Sequence, residues 1–218
     1  MFNTSHTISN VYSTPYDSTA HLVHTNARHW YVLRATLHRE QKAASILADH
    51  GIHAYVAQRY RRKRKGDKVI RQLENFIPNI LFAYLSPRQF ETIFSSSGAH
   101  ALPLARQLSF VSYCYDTSYR NAEGKAQPLV IPDEEMRSFM LATATHEEDV
   151  MVLPQSQYPK DNMDEVQVTG GKYKGLCGRM MTNAAGHRHI LVPLTNLITL
   201  RMPPIRDFDI HHITDDEQ

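Results

Sequence analysis

The ten-residue stretch Phe76-Ile77-Pro78-Asn79-Ile80-Leu81-Phe82-Ala83-Tyr84-Leu85 constrains the fold more than any other part of the chain. Strand residues alternate between faces, so Ile80, Phe82 and Tyr84 point one way while Leu81, Ala83 and Leu85 point the other. Both faces are apolar. Two readings follow. Either the strand is buried on both sides, as strands with continuous apolar runs usually are, or the smaller face packs on helices and the larger, part-aromatic face waits for a partner.

The surrounding sequence supplies the layers. Trp30-Tyr31-Val32-Leu33-Arg34-Ala35 has the aromatic and β-branched character of a strand. From Glu40 the pattern turns helical, with Ala43, Ile46, Leu47 and His50 on one face and Gly51 as the stop. Ile52 to Ala57 alternates again and runs into Arg59-Tyr60-Arg61-Arg62-Lys63-Arg64-Lys65-Gly66-Asp67-Lys68. Gly66-Asp67 is turn chemistry, and Val69 to Glu74 is the returning arm, which gives a hairpin with a basic tip. Ser86-Pro87 starts a second helix with Phe90, Ile93 and Phe94 as its buried stripe, ended by Ser95 to Gly98. Phe110 to Tyr115 is strand-like, Asp116 to Gln127 a polar loop, and Pro132-Asp133-Glu134-Glu135 opens a helix with Met136, Phe139, Met140 and Thr143 on one side. Periodicity is lost around Pro154 to Asn162. Beyond it, short strands separated by glycine and asparagine indicate a small bent barrel.

The chain has 218 residues, of which 42% are hydrophobic, enough for a substantial core. Its formal charge of +2 conceals the cationic run from Arg59 to Arg71. Cys114 and Cys177 lie far apart in sequence and read as reduced buried residues of a cytoplasmic protein. Residues 1–28 lack a charged start and a continuous apolar run, which argues against a secretory leader and for a disordered extension. No window reaches the length of a membrane span. Thirteen histidines invite a metal or hydrolase reading, but His187-Arg188-His189 and His211-His212 have no acidic or cysteine set at ligand spacing. No phosphate loop, nucleophile elbow or close carboxylate pair is evident, so neither an enzyme nor a cofactor is expected.

Taken in order, Trp30-Tyr31-Val32, the helix from Glu40 to Gly51, the basic hairpin, Pro78-Asn79-Ile80-Leu81-Phe82 and the Pro132-led helix resemble the N-terminal domain of the bacterial NusG transcription factors. Val166-Gln167-Val168 through Gly171-Lys172-Tyr173-Lys174-Gly175-Leu176-Cys177-Gly178-Arg179 resembles the KOW motif that follows it, with Gly171, Gly175 and Gly178 at the turn. The resemblance implies an α+β fold: an antiparallel or mixed sheet flanked by helices, then a small all-β KOW barrel. The expected division is an extension at 1–28, the NusG-like domain at 29–148, a linker at 149–163, the KOW domain at 164–201 and a flexible tail at 202–218. Pro78-Asn79 and the heavily basic hairpin are similar to the specialised RfaH-type branch and to the antiterminators of capsular polysaccharide operons. The N-terminal extension and the 116–127 loop depart from the short general factor.

Membership implies a transcription elongation factor that binds the clamp helices of the largest catalytic subunit of RNA polymerase and suppresses pausing and termination. Carried over by position, the polymerase-binding patch comprises Val32, Ile80, Phe82, Met136 and Phe139. Glu91 and Thr92 are the nearest positions for a contact across the cleft, although Ile93-Phe94 replaces part of the family's polar run there. Arg61, Arg62, Lys63, Arg64, Lys65 and Lys68 would track DNA phosphates near the transcription bubble. Arg39, Lys42 and His50 occupy the region where specialised relatives read exposed single-stranded DNA, but several of the base-reading positions hold unlike residues. The KOW unit of relatives recruits Rho or a ribosomal protein. The alternative is a ribosome-associated or free RNA-binding KOW protein that does not bind polymerase.

Overall fold

Strand β1 (His29–Ala35) is buried through Trp30, Tyr31, Val32, Leu33 and Ala35, as its aromatic and β-branched composition requires, and becomes the middle of the first sheet. The computed structural model describes residues 27–95, 102–154, 157–158, 163–195, 197–204 and 209–213. Of the expected N-terminal extension, residues 1–26 lie outside the described residues, as do 96–98 of the expected helix stop.

Helix α1 (Glu40–Asp49) buries Ala43 and Leu47, and the amides of His50 and Gly51 close its last turn on Leu47 and Ala48. The chain continues through β2 (His53–Tyr55) into a long ribbon, β3 (Gln58–Lys65) paired with β4 (Lys68–Asn75). Gly66 takes φ of 62° at the turn, a conformation open to glycine at little cost. Then comes β5 (Ile80–Leu85), antiparallel to β1 with Val32 opposite Phe82 and Leu33 opposite Leu81. Helix α2 (Pro87–Phe94) begins with a reciprocal cap: the Gln89 amide donates to Ser86 Oγ, and the Ser86 amide donates to Gln89 Oε1. A short helix α3 (Pro103–Gln107) precedes β6 (Val111–Tyr113). The stretch expected to be a polar loop is a bulged hairpin, β7 (Tyr115–Arg120) with β8 (Ala126–Pro128). Strand β9 (Val130–Ile131) returns to β1, and α4 (Asp133–Thr143) follows with three carboxylates in its first turn.

The first sheet has the order β2-β5-β1-β6, with β9 also on β1, and every pairing is antiparallel. Its Leu81, Ala83 and Leu85 face packs with Tyr31 and Leu33 against Ala43, Leu47, Ile93 and Leu108. On its other face, Trp30, Val32, Ile80 and Phe82 belong to a larger cluster.

Strands β10 (Met151–Leu153), β11 (Glu165–Val168), β12 (Cys177–Thr182), β13 (Arg188–Leu194), β14 (Ile198–Arg201) and β15 (Ile210–His212) form a second antiparallel sheet in the order β10-β14-β13-β12-β11-β15. Among the described residues this sheet is open, since its end strands β10 and β15 do not pair; a closed barrel was expected. Two boundaries also change. The stretch expected to be a linker contains β10, which pairs Val152 with Leu200. The expected flexible tail contributes the fully buried Met202 and strand β15, which pairs His211 with Gln167. Both changes have the same cause: three-residue segments too short to show a helical or alternating pattern are drawn into order by unsatisfied strand edges.

The two sheets share one core. Cluster members from the first sheet, from α4 (Met136, Phe139, Ala142) and from the second sheet (Val166, Met180, Ile190, Val192, Leu194, Leu200) are continuous. At 100° per residue, Met136, Phe139 and Thr143 make one side of α4, and Glu135, Ser138 and Ala142 an adjacent side. The first side meets the first sheet, where the Phe139 ring packs edge-on to Phe82 at 5.4 Å and Thr143 Oγ1 lies 2.6 Å from the Tyr55 hydroxyl. The second side meets the second sheet. There the Cys177 amide donates to Ser138 Oγ at 3.1 Å, and the Thr195 amide and hydroxyl both donate to Glu135 Oε2.

Candidate functional site

The ribbon β3–β4 is strongly cationic. Six cations on β3 and two on β4 are accompanied by a single carboxylate within the strands, Glu74. Residues opposite each other in an antiparallel ladder share a face, so the ribbon has two distinct sides. One side carries Arg59 opposite Glu74, Arg61 opposite Gln72, and Lys63 opposite Ile70. Glu74 lies 3.5, 3.4 and 3.4 Å from Arg59, Arg61 and Lys63. Burial alone would raise its pKa, but the hydrogen bonds and charges of Lys63 and Arg61 outweigh that and hold the carboxyl below its ordinary value.

The other side carries Tyr60 opposite Leu73, Arg62 opposite Arg71, and Arg64 opposite Val69. Here the compensating carboxylate comes from outside the ribbon. Glu148, in the segment between α4 and β10, places Oε2 3.2 Å from Arg62 Nε and Oε1 3.3 Å from Arg71 Nε. The preceding residue, Glu147, reaches Lys172 in the second sheet's turn at 3.0 Å and raises the pKa of that ammonium. At the tip, Arg64 Nε donates to the Gly66 carbonyl, and Lys65 and Lys68 stand exposed. The ribbon thus gathers Arg61, Arg62, Lys63, Arg64, Lys65 and Lys68 as the sequence indicates.

Arg39, Lys42 and His50 do not form one site. Arg39 and Lys42 lie at the N-terminal end of α1, with the Arg39 guanidinium 4.1 Å and the Lys42 ammonium 5.7 Å from the centroid of Phe110. Arg39 also donates to the carbonyl and hydroxyl of Thr36. A cavity of about 370 Å³ opens there, lined by Thr36, Arg39, Ser109, Phe110, Val111 and Ser112. His50 is at the opposite end of the helix, where its Nδ1 donates to the Ile46 carbonyl. It lines a second cavity of about 300 Å³ together with Arg88, Gln89 and Thr92. Of the two cleft-contact candidates, Glu91 is exposed on α2, and the Thr92 hydroxyl donates to the Arg88 carbonyl.

The apolar patch requires a correction. Val32, Ile80, Phe82, Met136 and Phe139 are 0–6% exposed and form no open surface in this conformation. Phe82 and Phe139 pack on each other, and the second sheet completes the cover. The helical periodicity that grouped Met136 with Phe139 marks the core side of α4. Its other side, with Ser138 and Glu135, carried no apolar signal that would announce a second packed face.

Of the three glycines expected at the turn of the second sheet, Gly171 and Gly175 lie in it, whereas Gly178 lies within strand β12 opposite Val166. Gly171 and Gly175 have φ of 70° and 87°. At Gly178 a Cβ would intrude on the Leu191 carbonyl oxygen and lie 2.5 Å from Ile190 Cγ2. Sequence reasoning passed over Tyr60, Arg71 and Glu148. The register fixed by the Gly66-Asp67 turn already sets Arg71 opposite Arg62, whereas nothing local announces Glu148. Among the described residues, no group of three or more His, Cys, Asp or Glu side chains is arranged to hold a metal, and no helix is long and apolar enough to cross a membrane.

Residues 28–140 match the profile of the NusG family, described as transcription termination factor nusG, and the chain belongs to that family. It therefore carries the domain of a family of transcription factors. Among solved structures it is similar to Thermotoga maritima NusG, in a study titled "Domain interaction in Thermotoga maritima NusG". That likeness has 17% identity and a TM-score of 0.35 and covers 86% of this chain and 98% of the other, which is too loose to carry the domain arrangement across. A search of curated proteins gives no match.

Proposed function

We propose that this chain is a specialised elongation factor of the NusG family that engages RNA polymerase and the DNA of the transcription bubble and suppresses pausing and termination without chemistry of its own. The RfaH-type branch, including operon-specific antitermination of the kind that serves polysaccharide biosynthesis, is the finer reading. The observation that carries the proposal is the cationic ribbon projecting from a NusG-family domain. Its exposed arginines and lysines suit phosphate contacts, which orient a protein on nucleic acid without reading sequence.

Polymerase engagement is a population shift. A factor that binds the closed clamp better than the open one lengthens the closed state and so resists pausing. The positions aligned with the clamp-helix surface, Ile80 and Phe82, lie beneath α4 and the second sheet, so use of that face requires the second sheet to move off. The second sheet, once free, is the surface for Rho or a ribosomal protein through its KOW-like turn. The decisive experiment is a single-round transcription assay with purified polymerase on a template with a long leader. Shorter dwell at pauses and increased read-through are expected. Unchanged pausing together with copurification on ribosomes would transfer the chain to the RNA-binding reading.

A further inference from the structure

Arg62 and Arg71 stand directly opposite each other across β3 and β4. Like charges in that relation destabilise a ladder unless something anionic lies between them. The Glu148 carboxylate does so, one oxygen to each guanidinium. The pair is also oriented. The Arg71 guanidinium lies 4.1 Å from the centroid of the Tyr60 ring, and the Tyr60 amide donates to the His146 carbonyl at 3.0 Å, fixing the ribbon against the segment that bears Glu148. His146 Nδ1 adds a hydrogen bond to the Gln58 carbonyl at 2.9 Å.

A phosphodiester presents the same feature as a carboxylate, two oxygens sharing negative charge, to the same planar donors. We infer that Arg62 and Arg71 form a phosphodiester-binding site that Glu148 occupies as an internal stand-in, so that nucleic acid must displace Glu148 to use it. The inference rests on the nucleic-acid reading of the ribbon. Position separates Glu148 from Glu74. Glu74 is part of the ribbon and travels with it, while Glu148 belongs to the segment leading into β10 and can withdraw with both ribbon strands intact. Arg62 and Arg71 are 74% and 58% exposed, so a ligand can reach them once the carboxylate leaves.

The test measures anisotropy of a labelled DNA duplex of about 30 base pairs with a central unpaired bubble, titrated with the full chain across a salt series. Glu148→Gln should tighten binding about two- to fivefold near 0.1 M salt, the scale on which one exposed charged contact is lost or gained. Asp149→Asn removes a neighbouring exposed carboxylate of the same charge and should change affinity by less than about twofold, because simple field effects are screened. In an Arg62→Gln/Arg71→Gln background, Glu148→Gln should have no effect, as a double-mutant cycle requires of a contact made only to those residues. Equal gains from Glu148→Gln and Asp149→Asn, or a gain that survives loss of both arginines, would overturn the stand-in. Binding by the wild type with no gain from Glu148→Gln would remove the stand-in and leave the ribbon's DNA role intact. No binding by any variant would remove both.

Discussion

Glu40 shows how a single side chain holds the turn on which the central strand depends. It is fully buried at the start of α1, and its Oε1 accepts a hydrogen bond from the Asn79 amide. Asn79 has φ of 65°, which asparagine tolerates better than most residues, and its side-chain oxygen accepts from the His38 amide at 3.1 Å. The Asn79 carbonyl accepts from the Ala35 amide at 2.9 Å, joining the end of β1 to the start of β5. The Pro78-Asn79 spelling, read in the sequence as a mark of lineage, is therefore also a structural requirement. Replacing Glu40 with Ala leaves the half-buried Asn79 amide without its acceptor and should cost about 1 kcal/mol. Asn79→Gly keeps the positive φ and should cost less than Asn79→Ala. Chemical denaturation of the three variants checks both statements, and equal losses for Asn79→Gly and Asn79→Ala would contradict the backbone argument.

At the scale of elements, what was legible follows from the physics of each signal. β1, α1, the two ribbon arms, β5, α2 and α4 lie where period and turn chemistry place them, because each is long enough to display its pattern. The short helix α3, the β7–β8 hairpin and strands β10 and β15 went unread; the last two hold only three residues each and exist through pairing with distant partners. The glycine pattern of the second sheet was legible as turns, but the need for Gly178 is different in kind. β12 and β13 approach so closely there that a methyl group meets the Leu191 backbone and the Ile190 side chain. Gly178→Ala should destabilise the second sheet by about 1–3 kcal/mol through overpacking. Because one buried cluster joins the two sheets, the fall in hydrogen-exchange protection should extend from β12 and β13 into the first sheet. Loss confined to β12 and β13 would count against a shared core.

At the scale of the molecule, the apolar face of β5 admitted two readings, and this conformation realises burial on both sides. The reason lies beyond any local window: α4 has two packed sides, one closing the first sheet and the other receiving the second sheet through Glu135, Ser138 and Ala142. One cluster spans both sheets, so they should lose structure together. Trp30, the only tryptophan, reports from the first sheet, and its unfolding transition should coincide with the far-ultraviolet signal of the whole chain. Ala142→Arg sets an unpartnered charge between α4 and the second sheet while leaving the Phe139–Phe82 contact in place, at a cost of at least about 2 kcal/mol. The variant should show two separated transitions, with faster proteolytic cleavage between residues 144 and 163. If the wild type already unfolds in two steps and is cleaved there as readily, the shared core does not bind the sheets together. In that case the second sheet can leave α4 and the first sheet without unfolding them.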